Sequence, residues 1–172
     1  RGLGDVYKRQ GSKLNLDLKG EPVPTLYEPG KGGWSGISLP WMAVGYEVQQ
    51  TPLQTLAFYN AVANNGTYVR PQFVKEIRRG NELEKRFPPV VVKDKICSES
   101  TIKDLKNCLK GVVQRGTGKA LNSTYFDIAG KTGTARILGQ NNNYDDNRYL
   151  ASFAGYFPAD NPIYSCIVVV TG

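Results

Sequence analysis

The chain has 172 residues, 40% hydrophobic and 22% charged, an ordinary globular balance with length enough to bury a core. It carries 22 Lys and Arg against 15 Asp and Glu, a net +7, but the positive residues form no basic run, so the charge reads as a solvated surface and not as a nucleic-acid footprint. There is no histidine, which removes Ser-His-Asp and Cys-His catalysis and every His-ligated metal site and leaves lysine, carboxylate, tyrosine or backbone groups to move protons.

Arg1 to Gln10 reads RGLGDVYKRQ. Its last six residues are what a transposon end used in sequencing-library preparation encodes in frame, so residues 1–10 read as an adaptor scar and are set aside from the fold. A natural terminus that matches by chance is the alternative. On the scar reading, residues 11–172 are an internal piece of a broken frame, and the stop at Gly172 just after an apolar strand pattern points the same way. From Gly11 to Pro40 the chain is rich in Pro and Gly, which predicts an extended surface loop. Thr51-Pro52-Leu53-Gln54 opens a helix: Thr51 caps, Pro52 suits the first position and Gln54 completes a capping box. Its apolar stripe is Leu53, Leu56, Ala57 and Ala61, and Asn64-Asn65-Gly66 stops it through left-handed backbone.

Residues 68 to 92 read as short strands around an Arg79-Gly80-Asn81 turn. Ser98 caps a second helix with the stripe Ile102, Leu105, Leu109 and Val112, ending near Gly116, and a short helical stretch follows from Lys119. Residues 128 to 138 read as strand and Gly139 to Asn147 as a polar loop. Tyr149 to Phe157 and Ile163 to Val170 follow as two strands, joined by a hairpin loop from Pro158 to Pro162. Both are apolar on both faces, so the sheet needs cover on each side, and an antiparallel sheet sandwiched by helices fits. No apolar run, Ile163 to Val170 included, is long enough to span a bilayer. The three cysteines, Cys97, Cys108 and Cys166, are odd in number and match neither a zinc site nor a dense disulfide scaffold. Cys108, in the helix, and Cys166, in the strand, read as buried small hydrophobes.

Gly130-Lys131-Thr132-Gly133-Thr134 is the stretch richest in chemistry. A phosphate-binding loop needs glycine five positions before Gly130 and a helix after the lysine, but position 125 is Tyr125 and strand follows, so that reading fails. The other reading is the Lys-Thr-Gly strand of serine acyl transferases that act on penicillin. Strand alternation sends Lys131 and Gly133 to one face and Thr132 and Thr134 to the other. Glycine lets a substrate approach the backbone, and a following N–H can face an oxyanion. Alone, three residues are a weak signal and fit a small-residue strand equally well.

The motifs around it are more specific. Val44-Gly45-Tyr46, Thr51-Pro52-Leu53-Gln54, Ala61-Val62-Ala63-Asn64-Asn65-Gly66 and Arg70-Pro71 come first. Gly116-Thr117-Gly118-Lys119-Ala120, Ala129 to Ala135 and Ala151 to Pro162 follow in order. Over roughly residues 14 to 171 this series resembles the class B penicillin-binding proteins, most of all the cell-division (septal) type, and looks like the C-terminal half of a peptidoglycan D,D-transpeptidase domain. The resemblance implies an α+β, β-lactamase/transpeptidase-like fold, an antiparallel sheet covered by helices and incomplete here, with residues 11–172 a partial domain. It implies that Lys131 offers charge to the substrate's terminal carboxylate and helps proton traffic, and that the Thr132 and Thr134 hydroxyls bond that carboxylate. It further implies that the Thr134 N–H is an oxyanion donor and that Gly133 keeps the strand edge clear for a donor peptide lying antiparallel. Lys131 and Thr134 are thus the implied catalytic residues, and Lys131, Thr132, Gly133 and Thr134 the substrate-binding ones, with no metal ligand and no organic cofactor. The implied partners are D-Ala-D-Ala stem peptides, β-lactams and division-machinery proteins, with no nucleic acid. The implied place is the extracytoplasmic face of the inner membrane, reached through an anchor outside this chain.

The family also needs a nucleophilic Ser-x-x-Lys and a Ser-x-Asn, both earlier in its chain. No Ser-x-Asn occurs here. Ser100-Thr101-Ile102-Lys103 matches the first by letter, but it follows the Thr51 helix and stands too near Lys131 in sequence, so Ser100 reads as a first-turn helix residue and the nucleophile as absent. The chain alone is therefore expected to be inactive. A β-lactamase or D,D-carboxypeptidase relative, and a non-enzymatic β-lactam sensor or wall-binding domain, are the alternatives.

Overall fold

The computed structural model describes residues 13–43, 45–138 and 144–172; the leader Arg1–Gln10 and residues 139–143 of the expected polar loop lie outside them. Strand β1 (Thr25–Leu26), helix α1 (Ser38–Ala43) and strand β2 (Val48–Gln49) come first, with β1 and β2 paired antiparallel. The stretch read as an uninterrupted loop up to Pro40 thus holds a strand and the start of a helix. Pro40 is tolerated because it sits in the first turn, where its missing N–H has no partner to lose. Ser38, the first helical residue, is fully buried, and its hydroxyl accepts from the Ser35 amide at 2.9 Å, tying the preceding turn to the helix.

Helix α2 (Pro52–Ala63) forms as its sequence predicts. Gln54 N–H donates to Thr51 Oγ1 at 3.2 Å and Thr51 N–H to Gln54 Oε1 at 2.7 Å, the reciprocal capping box. Asn65 (φ 53°) and Gly66 (φ 94°) end it in left-handed backbone, and Gly66 N–H closes on the Ala61 carbonyl at 2.7 Å. The buried residues are Gln54, Ala57, Ala61, Val62 and Ala63. Leu53 and Leu56 are only half-buried, because they line an open groove with Val69, Pro71 and Pro89.

Strands β3 (Tyr68–Val69) and β6 (Val91–Lys93) pair with each other, and β4 (Glu76–Arg79) and β5 (Glu82–Arg86) form a hairpin that turns at Gly80 (φ 59°). Helix α3 (Glu99–Arg115) starts at Ser98, whose hydroxyl accepts from the Thr101 amide at 3.2 Å. Its fully buried residues are Ile102 and Val113, with Leu105 and Leu109 packed beside them. Val113 takes the place expected for Val112 because at about 100° per residue it lies about 20° from Ile102 around the helix, whereas Val112 lies about 80° away. Cys108 falls off this stripe and is exposed, which corrects its reading as a buried residue. A single 3₁₀ turn follows at Lys119–Leu121.

The C-terminal sheet is β7 (Ala129–Leu138), β8 (Tyr144–Phe157) and β9 (Tyr164–Thr171), all antiparallel, in the order β7-β8-β9. β8 begins at Tyr144, five residues before its expected start at Tyr149, because Tyr144 still pairs with Leu138. The core joins Ala61, Val62 and Ala63 of α2 and Ile102 of α3 to Ala129, Tyr156 and Ala159. By register, Ala129, Lys131 and Gly133 share this helix-covered face with Ala154, Tyr156, Ser165 and Ile167, and Asn60 of α2 donates to Ser165 Oγ at 3.2 Å. The opposite face was expected to be covered as well. Among the described residues it is open, with Tyr164, Val168 and Val170 exposed by 62%, 55% and 59%.

Candidate active site

Strand β7 starts in the core and, among the described residues, forms one edge of the sheet. Gly130 faces Gly155 across the ladder, and the Phe153 ring lies over both. A Cβ on Gly130 would stand 2.6 Å from the Ala154 carbonyl oxygen, and one on Gly155 2.4 Å from that of Ala129. Only glycine fits at either position. Two ion pairs hold the inner end: Lys110 Nζ of α3 lies 2.7 Å from Asp127 Oδ2, just before β7, and 2.9 Å from Asp160 Oδ2 in the β8–β9 loop. The hydrogen bond to Asp127, then that to Asp160, raise the Lys110 pKa. The Ala159 amide completes the joint by donating to the Asp127 carbonyl at 2.8 Å.

The phase of the ladder decides which backbone groups are free. Tyr149 and Gly172 exchange both backbone hydrogen bonds, at 3.0 and 3.2 Å. In an antiparallel pair this alternates, so Tyr149, Ala151, Phe153 and Gly155 bond toward β9, and Leu150, Ser152, Ala154 and Tyr156 toward β7. Lys131 and Gly133 therefore spend their backbone groups on β8. Thr132 and Thr134 turn their N–H and C=O outward, where β7 has no strand neighbour among the described residues.

The side chains converge at that edge. Lys131 Nζ donates to the Thr132 carbonyl at 2.7 Å and lies 3.5 Å from Thr132 Oγ1. Strand alternation alone would have separated the two, but a long lysine on an edge strand can fold round it. Thr134 is exposed two residues along. At Gly133 a Cβ would come within 2.6 Å of Ser152 Oγ. The site thus offers a cation, hydroxyl donors and two outward N–H groups in a row, an arrangement suited to an extended ligand that ends in a carboxylate.

Ser100 is not part of this arrangement. It sits in the first turn of α3, with its Oγ 3.0 Å from Ser98 Oγ. From Ser100 the helix runs on to Arg115, about 22 Å further along its axis, before Thr117 reaches the edge strand. Thr117 itself was not singled out among the site residues: its Oγ1 lies 2.7 Å from Thr132 Oγ1. Its stretch, Gly116-Thr117-Gly118-Lys119-Ala120, is one of the ordered motifs that carry the resemblance, but nothing within it gives Thr117 a role until the strand it touches is known.

The comparisons with known proteins agree with this architecture. The model of the penicillin-binding protein transpeptidase domain matches residues 9–172. The chain is 33% identical over 172 residues to the peptidoglycan D,D-transpeptidase FtsI of Escherichia coli (strain K12), covering 98% of this chain and 27% of that protein. It is 32% identical over 164 residues to the stage V sporulation protein D of Bacillus subtilis (strain 168), covering 93% and 24%. It thus spans about a quarter of the length of the curated relatives it matches. Among solved structures, penicillin-binding protein 3 of Mycobacterium tuberculosis complexed with aztreonam superposes with a TM-score of 0.80 at 28% identity, over 99% of this chain and 38% of that one. Penicillin-binding protein 2B of Streptococcus pneumoniae (strain R6) gives 0.80 at 25% identity, over 98% and 28%. The fold is therefore the β-lactamase/transpeptidase-like one expected, and the chain belongs to the family of penicillin-binding protein transpeptidase domains.

Proposed function

We propose that residues 11–172 carry the substrate-binding edge of a peptidoglycan D,D-transpeptidase of the cell-division type, and that residues 1–10 are foreign to it. The observation that carries this reading is the outer edge of β7, where the Lys131 ammonium lies against Thr132 and the N–H groups of Thr132 and Thr134 face outward. A stem peptide ending in D-Ala-D-Ala would add to this edge as an antiparallel strand. Its terminal carboxylate would be held by Lys131 and by the Thr132 and Thr134 hydroxyls. The Thr134 N–H would face the scissile carbonyl oxygen as it gains charge in the tetrahedral intermediate.

The serine that attacks this carbonyl, with its lysine and the Ser-x-Asn, would come from a segment outside this chain. The acyl-enzyme would release D-Ala and pass its acyl group to the amine of a neighbouring stem, and β-lactams would trap the same serine. Such a reaction belongs outside the cytoplasmic membrane, beside the division machinery. No helix among the described residues is long and apolar enough to cross a membrane.

Fluorescent penicillin tests the reading. A polypeptide that joins an upstream Ser-x-x-Lys segment to this sequence is expected to label covalently, and the 172-residue chain is not. Labelling of the 172-residue chain that Ser100→Ala abolishes would overturn the assignment.

A further inference from the structure

Helix α3 ends in a Gly-Thr-Gly turn whose place is fixed. The amides of Gly116 and Gly118 both donate to the Val112 carbonyl, each at 3.0 Å. A Cβ on Gly116 would stand 2.9 Å from that same oxygen, so any other residue pushes the turn off it. Gly118 is buried, with Val112 and Val113 side-chain atoms 3.4 Å from where its Cβ would be. Thr117 supplies the one side chain between them, and the helix delivers its Oγ1 to 2.7 Å from Thr132 Oγ1.

A hydroxyl has one proton to give and two lone pairs that accept, an ammonium only gives, and a carboxylate only accepts. A Thr132 that holds a carboxylate must point its single proton at the ligand. Its oxygen then needs a donor, and Lys131 Nζ at 3.5 Å is at the outer limit of one. Thr117 stands at full hydrogen-bond distance. We propose that Thr117 is a positioning residue: its hydroxyl donates to Thr132 Oγ1, fixes the Thr132 rotamer and so aims the Thr132 O–H at the carboxylate of a ligand on the β7 edge. This rests on the edge strand being the carboxylate-binding strand and adds to that strand a residue from the preceding helix.

The rotamer is measured on the 172-residue chain, from the three-bond couplings of the Thr132 methyl carbon. One dominant χ1 is expected in the unsubstituted chain and in Thr117→Ser, and averaging between rotamers in Thr117→Val, which keeps the shape and loses the hydroxyl. An unaltered single rotamer in Thr117→Val overturns the proposal. The second arm uses the longer polypeptide with its Ser-x-x-Lys segment and compares acylation by benzylpenicillin and by its methyl ester. Thr117→Val is expected to slow the free acid about five- to tenfold more than the ester, the range of one neutral hydrogen bond, with Thr117→Ser restoring the difference. Equal slowing of both ligands means general damage to the edge and also overturns the proposal. If the unsubstituted polypeptide is not acylated at all, it is the transpeptidase reading that fails, and the rotamer measurement still decides the role of Thr117.

Discussion

Tyr156 places a phenol where the sheet meets both helices, and the group has a thermodynamic signature. The side chain is fully buried, and its hydroxyl has no hydrogen-bond partner among the described residues. Burial, and after it the charge of Asp160, push its pKa up to about 12. An unpaired buried hydroxyl costs about 1–3 kcal/mol of desolvation. Removing it leaves a void on the order of 10 Å³, worth only about 0.2 kcal/mol. Tyr156→Phe should therefore be as stable as the unsubstituted chain at pH 7, or more stable by up to about 2 kcal/mol. The pH dependence is an independent check. Between pH 10 and pH 12 the unfolded tyrosine has lost its proton while the folded one keeps it, so the folded state binds more protons and stability falls as pH rises. For a shift from 10 to about 12, the loss by pH 11 is on the order of 1 kcal/mol. Urea unfolding at pH 7, 9, 10 and 11 under reducing conditions reads both effects. The stability difference between Tyr156→Phe and the unsubstituted chain should widen by about that amount between pH 9 and pH 11. Parallel pH curves, or a loss above about 1 kcal/mol at pH 7 as for a bonded hydroxyl, would refute the reasoning.

Gly155→Ala drives a methyl to 2.4 Å from the Ala129 carbonyl oxygen and 2.9 Å from the Phe153 ring; a loss of about 1–3 kcal/mol or more is expected, read as a lower urea midpoint. Thr51→Ala removes one arm of the α2 capping box and should cost about 1 kcal/mol in the same assay. Lys110→Met removes both ion pairs that hold the inner end of β7, and hydrogen exchange at the Ala159 amide, bonded to the Asp127 carbonyl, should speed up ahead of global unfolding. Lys131 is exposed, so Lys131→Ala should leave the urea midpoint in place, yet slow penicillin acylation of the longer polypeptide roughly 10- to 100-fold, the range of a charge-assisted hydrogen bond.

The parts of the fold legible in the sequence are those whose cause is local. The capping box at Thr51, the left-handed stop at Asn65-Gly66 and the cap at Ser98 each depend on neighbours within a few residues, and each formed as read. The readings that needed correction depend on partners far along the chain. β8 reaches back to Tyr144 because β7 continues to Leu138 to meet it. Leu53 and Leu56 keep helical spacing but face a groove instead of the core. Cys108 resembles a core residue by type, and its angle on α3 carries it outward. Apolar residues on both faces of β8 and β9 implied cover on both sides, a requirement that names the faces and leaves the cover unspecified.

The candidate site shows the same division within five residues. The motif singles out Lys131, Thr132 and Thr134, but strand alternation places Lys131 and Thr132 on opposite faces and gives no reason for their side chains to meet. Two distant facts complete the edge. The bond pair between Tyr149 and Gly172, at the far side of the sheet, sets the phase that turns the Thr132 and Thr134 amides outward. The length and end of α3 set where Thr117 meets Thr132. A one-residue slip of β7 against β8 would turn the outward backbone groups of Thr132 and Thr134 inward while leaving the sequence untouched. The chemistry of this edge thus depends on the packing of Gly130, Gly155 and Phe153, which fixes the register of β7 on β8, as much as on the residues that would touch a ligand.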